Sequence, residues 1–199
     1  DPDALVISGA PAVTGINDGV TAVDDRIYMR SMLEAGVAEW VDGVGVHPYG
    51  FANPPEATVE DEEQVAPSHN NHPSFFFRDT LEDYRDLMIE YEAGQLPLWP
   101  TEFGWPSVDG LEGVDVTGIE YARDVTEQEQ ADYTVRAFQI GWGTEWIGPM
   151  FLWNLNISTL WDDTVWGANR PETPYSLLRP DGSYRPAYIA LRLTGPSEE

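Results

Sequence analysis

Trp99, Pro100, Thr101, Glu102, Phe103, Gly104 and Trp105 set one carboxylate at the end of an apolar run, between aromatic side chains. A charge in such surroundings is costly without partners, so Glu102 has either hydrogen-bonding neighbours or a chemical task. His47, Pro48 and Tyr49 close the preceding apolar run. They bring an imidazole and a phenol beside Glu102 if the two runs are adjacent parallel strands. A phenol that donates to a carboxylate keeps it ionised and orients it. Histidine at a strand end is also a common structural residue, and its coincidence with Glu102 at equivalent strand ends is what points to function. Trp153, in Phe151-Leu152-Trp153-Asn154, ends a later run. An indole there is either ordinary core or a platform for a flat apolar ligand face such as a sugar ring.

Other groupings are weaker. His69 and His72, with Asn70, Asn71 and the acidic run Glu60 to Glu63, have oxygen and nitrogen donors for a cation but match no recognised ligand spacing, and a solvated loop is the plainer account. Asp162 and Asp163 lie between Trp161 and Trp166, a pattern that suits either a ligand subsite or an ordinary polar loop. Neither a metal nor a cofactor is called for by any of these patterns.

The elements that must position these residues follow from periodicity and turn chemistry. Ala4 to Ala10 is a nearly continuous apolar run, as expected of a strand buried on both faces, and Asp24 to about Ala38 reads as a helix. Asp42 to Tyr49 is a second strand, whose Gly43 and Gly45 imply close packing against a neighbouring backbone or ligand. Gly50 to Ser74 reads as a long loop. Phe77, Leu81, Tyr84, Met88 and Tyr91 then stack on one helical face, with Gly94 as the stop. Leu96 to Trp105 is the third strand, followed by a loop to Val125. Thr126 and Glu129 form a capping-box pattern, and Ala131, Val135, Phe138 and Trp142 mark the face of the helix it opens. Ile147 to Asn156 is the fourth strand, and Arg185 to Leu193 reads as a closing helix after another long loop.

Strand and helix therefore alternate four times, the order of a parallel sheet with right-handed crossovers. Four units in 199 residues take about 50 residues each, against roughly 31 in a 250-residue barrel of eight units. The excess lies in the loops after strands, which form the active face of a (β/α) barrel.

Composition narrows the possible partners. The 199 residues carry 35 acidic and 10 basic side chains, a formal net charge of -25, and all ten bases are arginine. Nucleic acid and anionic membrane surfaces are excluded as partners by repulsion and by the lack of a basic cluster. Apolar residues at 42% and aromatics at 12% are enough for a packed core. No run of about 18 apolar residues is present, and the first residues lack a signal-peptide pattern. With no cysteine there is neither disulfide nor thiolate chemistry, and with no lysine there is no Schiff base. The acidic surface suits high salt, where self-repulsion is screened, and equally suits a GC-rich genome.

Taken together, the four strand runs resemble the second half of the clan A glycoside hydrolases, (β/α)8 enzymes that include cellulases, mannanases and xylosidases. The resemblance covers Ala4 to Gly15 as strand five, Asp42 to Gly50 as strand six, Leu98 to Trp105 as strand seven and Phe151 to Asn154 as strand eight. It implies that Glu102 is the nucleophile of a retaining β-glycosidase, that Tyr49 hydrogen-bonds it, and that His47 completes the His-x-Tyr motif. It implies further that Trp153 floors the sugar at the cleavage point. Independently of the resemblance, Trp105, Trp161 and Trp166 offer faces suited to uncharged pyranose rings, and Asp162 sits where it either contacts sugar hydroxyls or belongs to an ordinary polar loop. Family members carry their acid/base in an Asn-Glu pair on strand four, and this chain contains no Asn-Glu dipeptide.

The expectation is thus an α/β fold, a parallel (βα)4 half of a TIM barrel with residues 1–199 as one C-terminal half-barrel. Its partner would be an N-terminal half-barrel in the same parent protein or a second chain, and its substrate a β-linked carbohydrate at the cell surface or outside the cell. The start at Asp1, directly before a strand-like run, reads as a cut from a longer chain. The competing expectation is a catalytically silent carbohydrate-binding or structural domain that keeps the aromatic cleft.

Overall fold

The computed structural model describes residues 1, 3–61, 69–159 and 170–194. It is a mixed α/β fold whose elements follow in the order α1 (Asp25–Glu34), β1 (Val44–Val46), α2 (Phe77–Glu90), β2 (Leu98–Pro100), α3 (Glu127–Trp142) and α4 (Pro186–Thr194). β1 and β2 pair in parallel with Val44 opposite Leu98 and Val46 opposite Pro100. A segment around Ile7 flanks β1 through a parallel bridge to Gly43, and a segment from Ile147 to Leu152 flanks β2 through bridges to Leu98 and Phe103. Four parallel segments therefore lie side by side in chain order.

The two outer segments are bridges and not full strands, which corrects the expectation of four comparable strands. Ala4 to Ala10 is also not buried on both faces, since Leu5 is 67% and Val6 49% exposed. Its described pairing is to one side only, through Ser8 N–H to the Gly43 carbonyl and Asp42 N–H to the Val6 carbonyl. Apolar residues on a one-sided edge stay in solvent until something covers them.

Val44, Val46, Leu98 and Phe103 form the core with Met29 and Leu33 of α1, Leu81, Tyr84 and Met88 of α2, and Ala137 of α3. Side chains alternate along a strand, so Gly45 and Trp99 face the other way. On that face the Trp99 indole lies where a Cβ on Gly43 or Gly148 would stand, 2.6 and 2.9 Å from its Nε1. Gly45 is needed because the Ser8 carbonyl occupies the place of its Cβ. The glycines expected to allow close approach thus admit an indole and a neighbouring strand.

Helix α2 buries Phe77, Leu81, Tyr84 and Met88 as the spacing requires, but it stops at Glu90. Glu92 takes the left-handed conformation (φ 57°) and Ala93 N–H returns to the Met88 carbonyl, so the turn forms before Gly94 is reached. Helix α1 is shorter than expected: Gly36 at φ 83° ends it, and a 3-10 turn over Val37–Glu39 follows. Helix α3 opens with the full Thr126–Glu129 capping box. Its buried face is Gln130, Ala131, Thr134, Ala137 and Gly141, rotated from the expected one, and Trp142 is 55% exposed. Small side chains bring this helix close to α4, where Ala131 packs with Leu177 and Ala187, and the Met150 sulfur fills the space beside Gly141. Among the described residues no helix is long and apolar enough to cross a membrane.

Candidate active site at the ends of β1 and β2

Glu102 lies two residues past β2, and His47 and Tyr49 lie just past β1. Because β1 and β2 are neighbours in parallel register, their ends converge. The Tyr49 hydroxyl donates to Glu102 Oε2 at 3.0 Å, and His47 Nδ1 is 3.8 Å from the same oxygen. Side-chain exposures of 35% for Glu102 and 22% for His47 leave both reachable from solvent. Burial, then the charge and hydrogen bond of Glu102, push the Tyr49 phenol well above its ordinary range, so it remains a donor. Burial lowers the affinity of His47 for a proton, against a smaller opposing pull from the Glu102 charge. Near neutrality, therefore, a neutral imidazole and a protonated phenol face one carboxylate. Of the two carboxylate oxygens it is Oε2 that Tyr49 engages.

Trp153 meets the end of this strand through its backbone: its main-chain N–H donates to the Phe103 carbonyl at 2.8 Å, its own carbonyl abuts Gly104, and the residue is half-buried. Trp105 is not a ligand platform, which corrects its assignment. It is 1% exposed, its Nε1 donates to the Asn53 carbonyl at 2.7 Å, and its ring packs on Phe77 and Tyr133. Gly50 makes room for that indole, turning it into the core where the sequence pattern alone matched Trp153. Trp161, Trp166, Asp162 and Asp163 lie outside the described residues, as do Glu62 and Glu63.

The two loop histidines are structural. His69 stacks on Phe51 with ring centroids 4.7 Å apart and meets Phe75 and Tyr121 edge-on. His72 Nε2 is 3.3 Å from Asp24 Oδ2, and its Nδ1 accepts from Ser74 N–H. Among the described residues no group of three or more potential ligands could hold a metal ion.

Tyr175 and Tyr121 escaped sequence analysis. Tyr175, 9% exposed, meets the Tyr49 ring edge-on at 5.7 Å, and its hydroxyl shares a 2.7 Å hydrogen bond with that of Tyr121. A tyrosine in a Thr-Pro-Tyr loop segment carries no local signal for such a contact. A groove of about 570 Å³ lies elsewhere, between the chain after Gly9 and α1, lined by Ala10, Pro11, Ala22, Val23, Tyr28 and Met32.

No family model and no curated protein matches the chain. Among solved structures it is similar to a family 39 glycoside hydrolase from Bacteroides cellulosilyticus WH2, with 21% identity and a TM-score of 0.54 over 84% of this chain and 30% of that one. Two others are an exo-β-1,3-glucanase of family GH128 from Aureobasidium namibiae (15% identity, TM-score 0.49, 92% and 50% covered) and the Clostridium thermocellum endo-1,4-β-D-xylanase 10B (15%, 0.45, 84% and 26%). Of the three, the family 39 enzyme alone carries weight, and at 21% identity it bears on fold and not on substrate. The chain spans between about a quarter and a half of the length of these three structures.

Proposed function

We propose that this chain is the nucleophile-bearing half of a (β/α)8 barrel that hydrolyses β-glycosides with retention. The observation that carries the proposal is the Tyr49–Glu102 hydrogen bond at converging strand ends, with His47 beside it. In this mechanism Glu102 Oε1 attacks the anomeric carbon and the glycosidic C–O bond breaks. An acid on the other half, with its carboxyl about 5 to 5.5 Å away, protonates the leaving oxygen. Water, deprotonated by that same group, then displaces Glu102 and restores the free carboxylate. Tyr49 keeps Oε2 occupied through both steps, and Trp153 supports the ring being cleaved. A charge of -25 repels polyanions, so the substrate is a neutral β-linked sugar of the kind met at or outside the cell surface.

The open edges support a complementary half. Leu5, Val6 and the groove beside α1 lie at one edge, and Phe151 and Leu155, 50% and 57% exposed, at the other. Trp99 Nε1 is buried without a hydrogen-bond partner among the described residues, on the face such a half would cover.

The test is turnover of aryl β-glycosides by the chain combined with a half carrying the second carboxylate. Glu102→Gln should abolish turnover and leave oligosaccharide binding nearly intact. Substantial activity in that variant overturns the nucleophile assignment, and a wild-type complex that binds sugar without hydrolysing it replaces the enzyme with a silent carbohydrate-binding domain.

A further inference from the structure

Tyr49 is half-buried on a chain segment that has left β1, so its backbone alone does not hold its ring against Glu102. Two rings meet it edge-on, that of His47 at 6.4 Å and 81° and, closer, that of Tyr175 at 5.7 Å and 78°, a geometry that favours a defined orientation. Tyr175 is fixed at both ends. The carbonyl of Pro174 just before it accepts from Ser107 N–H at 3.0 Å, Gln130 Nε2 at 2.9 Å and Arg185 NH1 at 2.9 Å. At the other end its hydroxyl is bonded to that of Tyr121, and Phe51 and His69 pack on the Tyr121 ring at 5.1 and 4.7 Å. The side of the Tyr175 ring also lies 3.5 Å from where a Cβ on Gly104 would stand, two residues beyond Glu102. One anchored ring thus meets the residue that orients the carboxylate and lies beside the strand end that bears it.

We propose that Tyr175 is a positioning residue for the Glu102 carboxylate, acting through Tyr49, with Tyr121 holding its hydroxyl in place. The proposal rests on the role given to Glu102 above only where turnover is measured. A carboxylate held loosely by a mobile phenol presents its free oxygen over a range of directions, and displacement of a reacting atom by about 1 Å costs roughly a hundredfold in rate. Tyr175 is buried and among the described hydrogen bonds has none to Glu102, so its loss should act on kcat and spare KM.

The experiment follows Tyr49 by NMR in the full chain, with tyrosine isotope-labelled at the ring carbon that bears the hydroxyl. Tyr49→Phe assigns its signal among the nine tyrosines. Acid titration of the wild type should move that signal as Glu102 protonates, and Glu102→Gln should abolish the movement. Tyr175→Leu, which removes both ring contact and hydroxyl, should cut the movement to about half or less, while Tyr175→Phe, which keeps the ring and loses only the bond to Tyr121, should diminish it by a smaller amount, the same as Tyr121→Phe. A folded Tyr175→Leu chain whose Tyr49 signal moves as in the wild type overturns the proposal. If that variant does not fold, Tyr121→Phe carries the test: it frees the Tyr175 hydroxyl and should broaden or diminish the Tyr49 response, and an unchanged response overturns the proposal. In the reconstituted enzyme Tyr175→Leu should lower kcat roughly tenfold or more with KM within about twofold. The two ideas fail separately. Without glycosidase activity the wild type shows no turnover and the NMR result still stands, whereas an active wild type matched by Tyr175→Leu in kcat and in the Tyr49 signal overturns positioning alone.

Discussion

At Gly104 a single added methyl group should damage the site through the backbone. A Cβ built there stands 2.6 Å from the carbonyl oxygen of Trp153, about 0.8 Å inside the 3.4 Å at which ordinary contact begins, and 3.5 and 3.7 Å from Tyr175 and Leu152 side-chain atoms. The obstructing atom is backbone, and it is tethered close by, because Trp153 N–H bonds the Phe103 carbonyl at 2.8 Å. No rotamer change relieves the clash, so Gly104→Ala must pry the last strand segment away from the end of β2. Overpacking of this kind costs about 1 to 3 kcal/mol, and the variant should lose that much in urea unfolding at unchanged m value. Gly9→Ala is the control, since its Cβ meets nothing within 4 Å and its backbone needs no left-handed φ. It should be neutral or slightly stabilising, by up to about 1 kcal/mol. If the proposed glycosidase function holds, displacing the Trp153 segment from the strand end that bears Glu102 should cost up to roughly a hundredfold in turnover. A Gly104→Ala chain within about 0.5 kcal/mol of wild type would refute the reasoning, because it would mean the two segments part freely.

Two further outcomes are expected from charge. Seven of the ten arginines, at 26, 30, 78, 136, 170, 179 and 185, already pair with carboxylates, so the net charge of -25 is left to repel itself. Raising salt from about 0.1 M to 1 M shortens the screening length from roughly 10 to 3 Å and should raise the thermal midpoint by several degrees. A flat or falling midpoint in differential scanning fluorimetry would show that the acidic surface is not a salt-dependent load. Stability should also fall at both ends of the pH range. His47 and His69 bind protons less readily folded than unfolded because they are buried, so the stability they contribute is complete above the unfolded value of 6.5 and is lost as pH falls below it. Tyr49, Tyr121 and Tyr175 are raised by burial, so theirs is complete below the unfolded value of 10.0 and is lost as pH rises above it. Phenolate absorbance of these three should appear together with unfolding, and their free titration in a folded chain would contradict their burial.

Features confined to one element were legible before any coordinates. The α2 stripe and the Thr126–Glu129 box depend on residues within a few positions of one another, where helical spacing decides contact. The convergence of Glu102 with His47 and Tyr49 required one assumption, that consecutive runs are parallel neighbours, and β1 and β2 are. What depends on the third dimension was not legible. Trp105 and Trp153 look alike as aromatics at strand exits, and what separates them is Gly50 opening the core to the former. The face of α3 was misjudged because large apolar residues were weighted over small ones, while Ala131 packs against Ala187 of α4, Ala137 enters the main core and Gly141 meets Met150. Tyr175 reaches Tyr49 and Tyr121 across long sequence separations that no spacing rule records.

The triple acceptance at the Pro174 carbonyl bears on where this chain tolerates being lengthened or cut. Loops after strands usually accept insertions because little else depends on their path. Around Glu112 and Gly113, both exposed, that freedom holds. Between Thr173 and Ser176 it does not: an added residue would detach the N–H of Ser107, the amide of Gln130 and the guanidinium of Arg185, which is 0% exposed, from a single oxygen. Three parts of the chain far apart in sequence would lose their common anchor at once. The long segments after the strands are therefore of two kinds, spare length that variation can reshape and a keystone that it cannot.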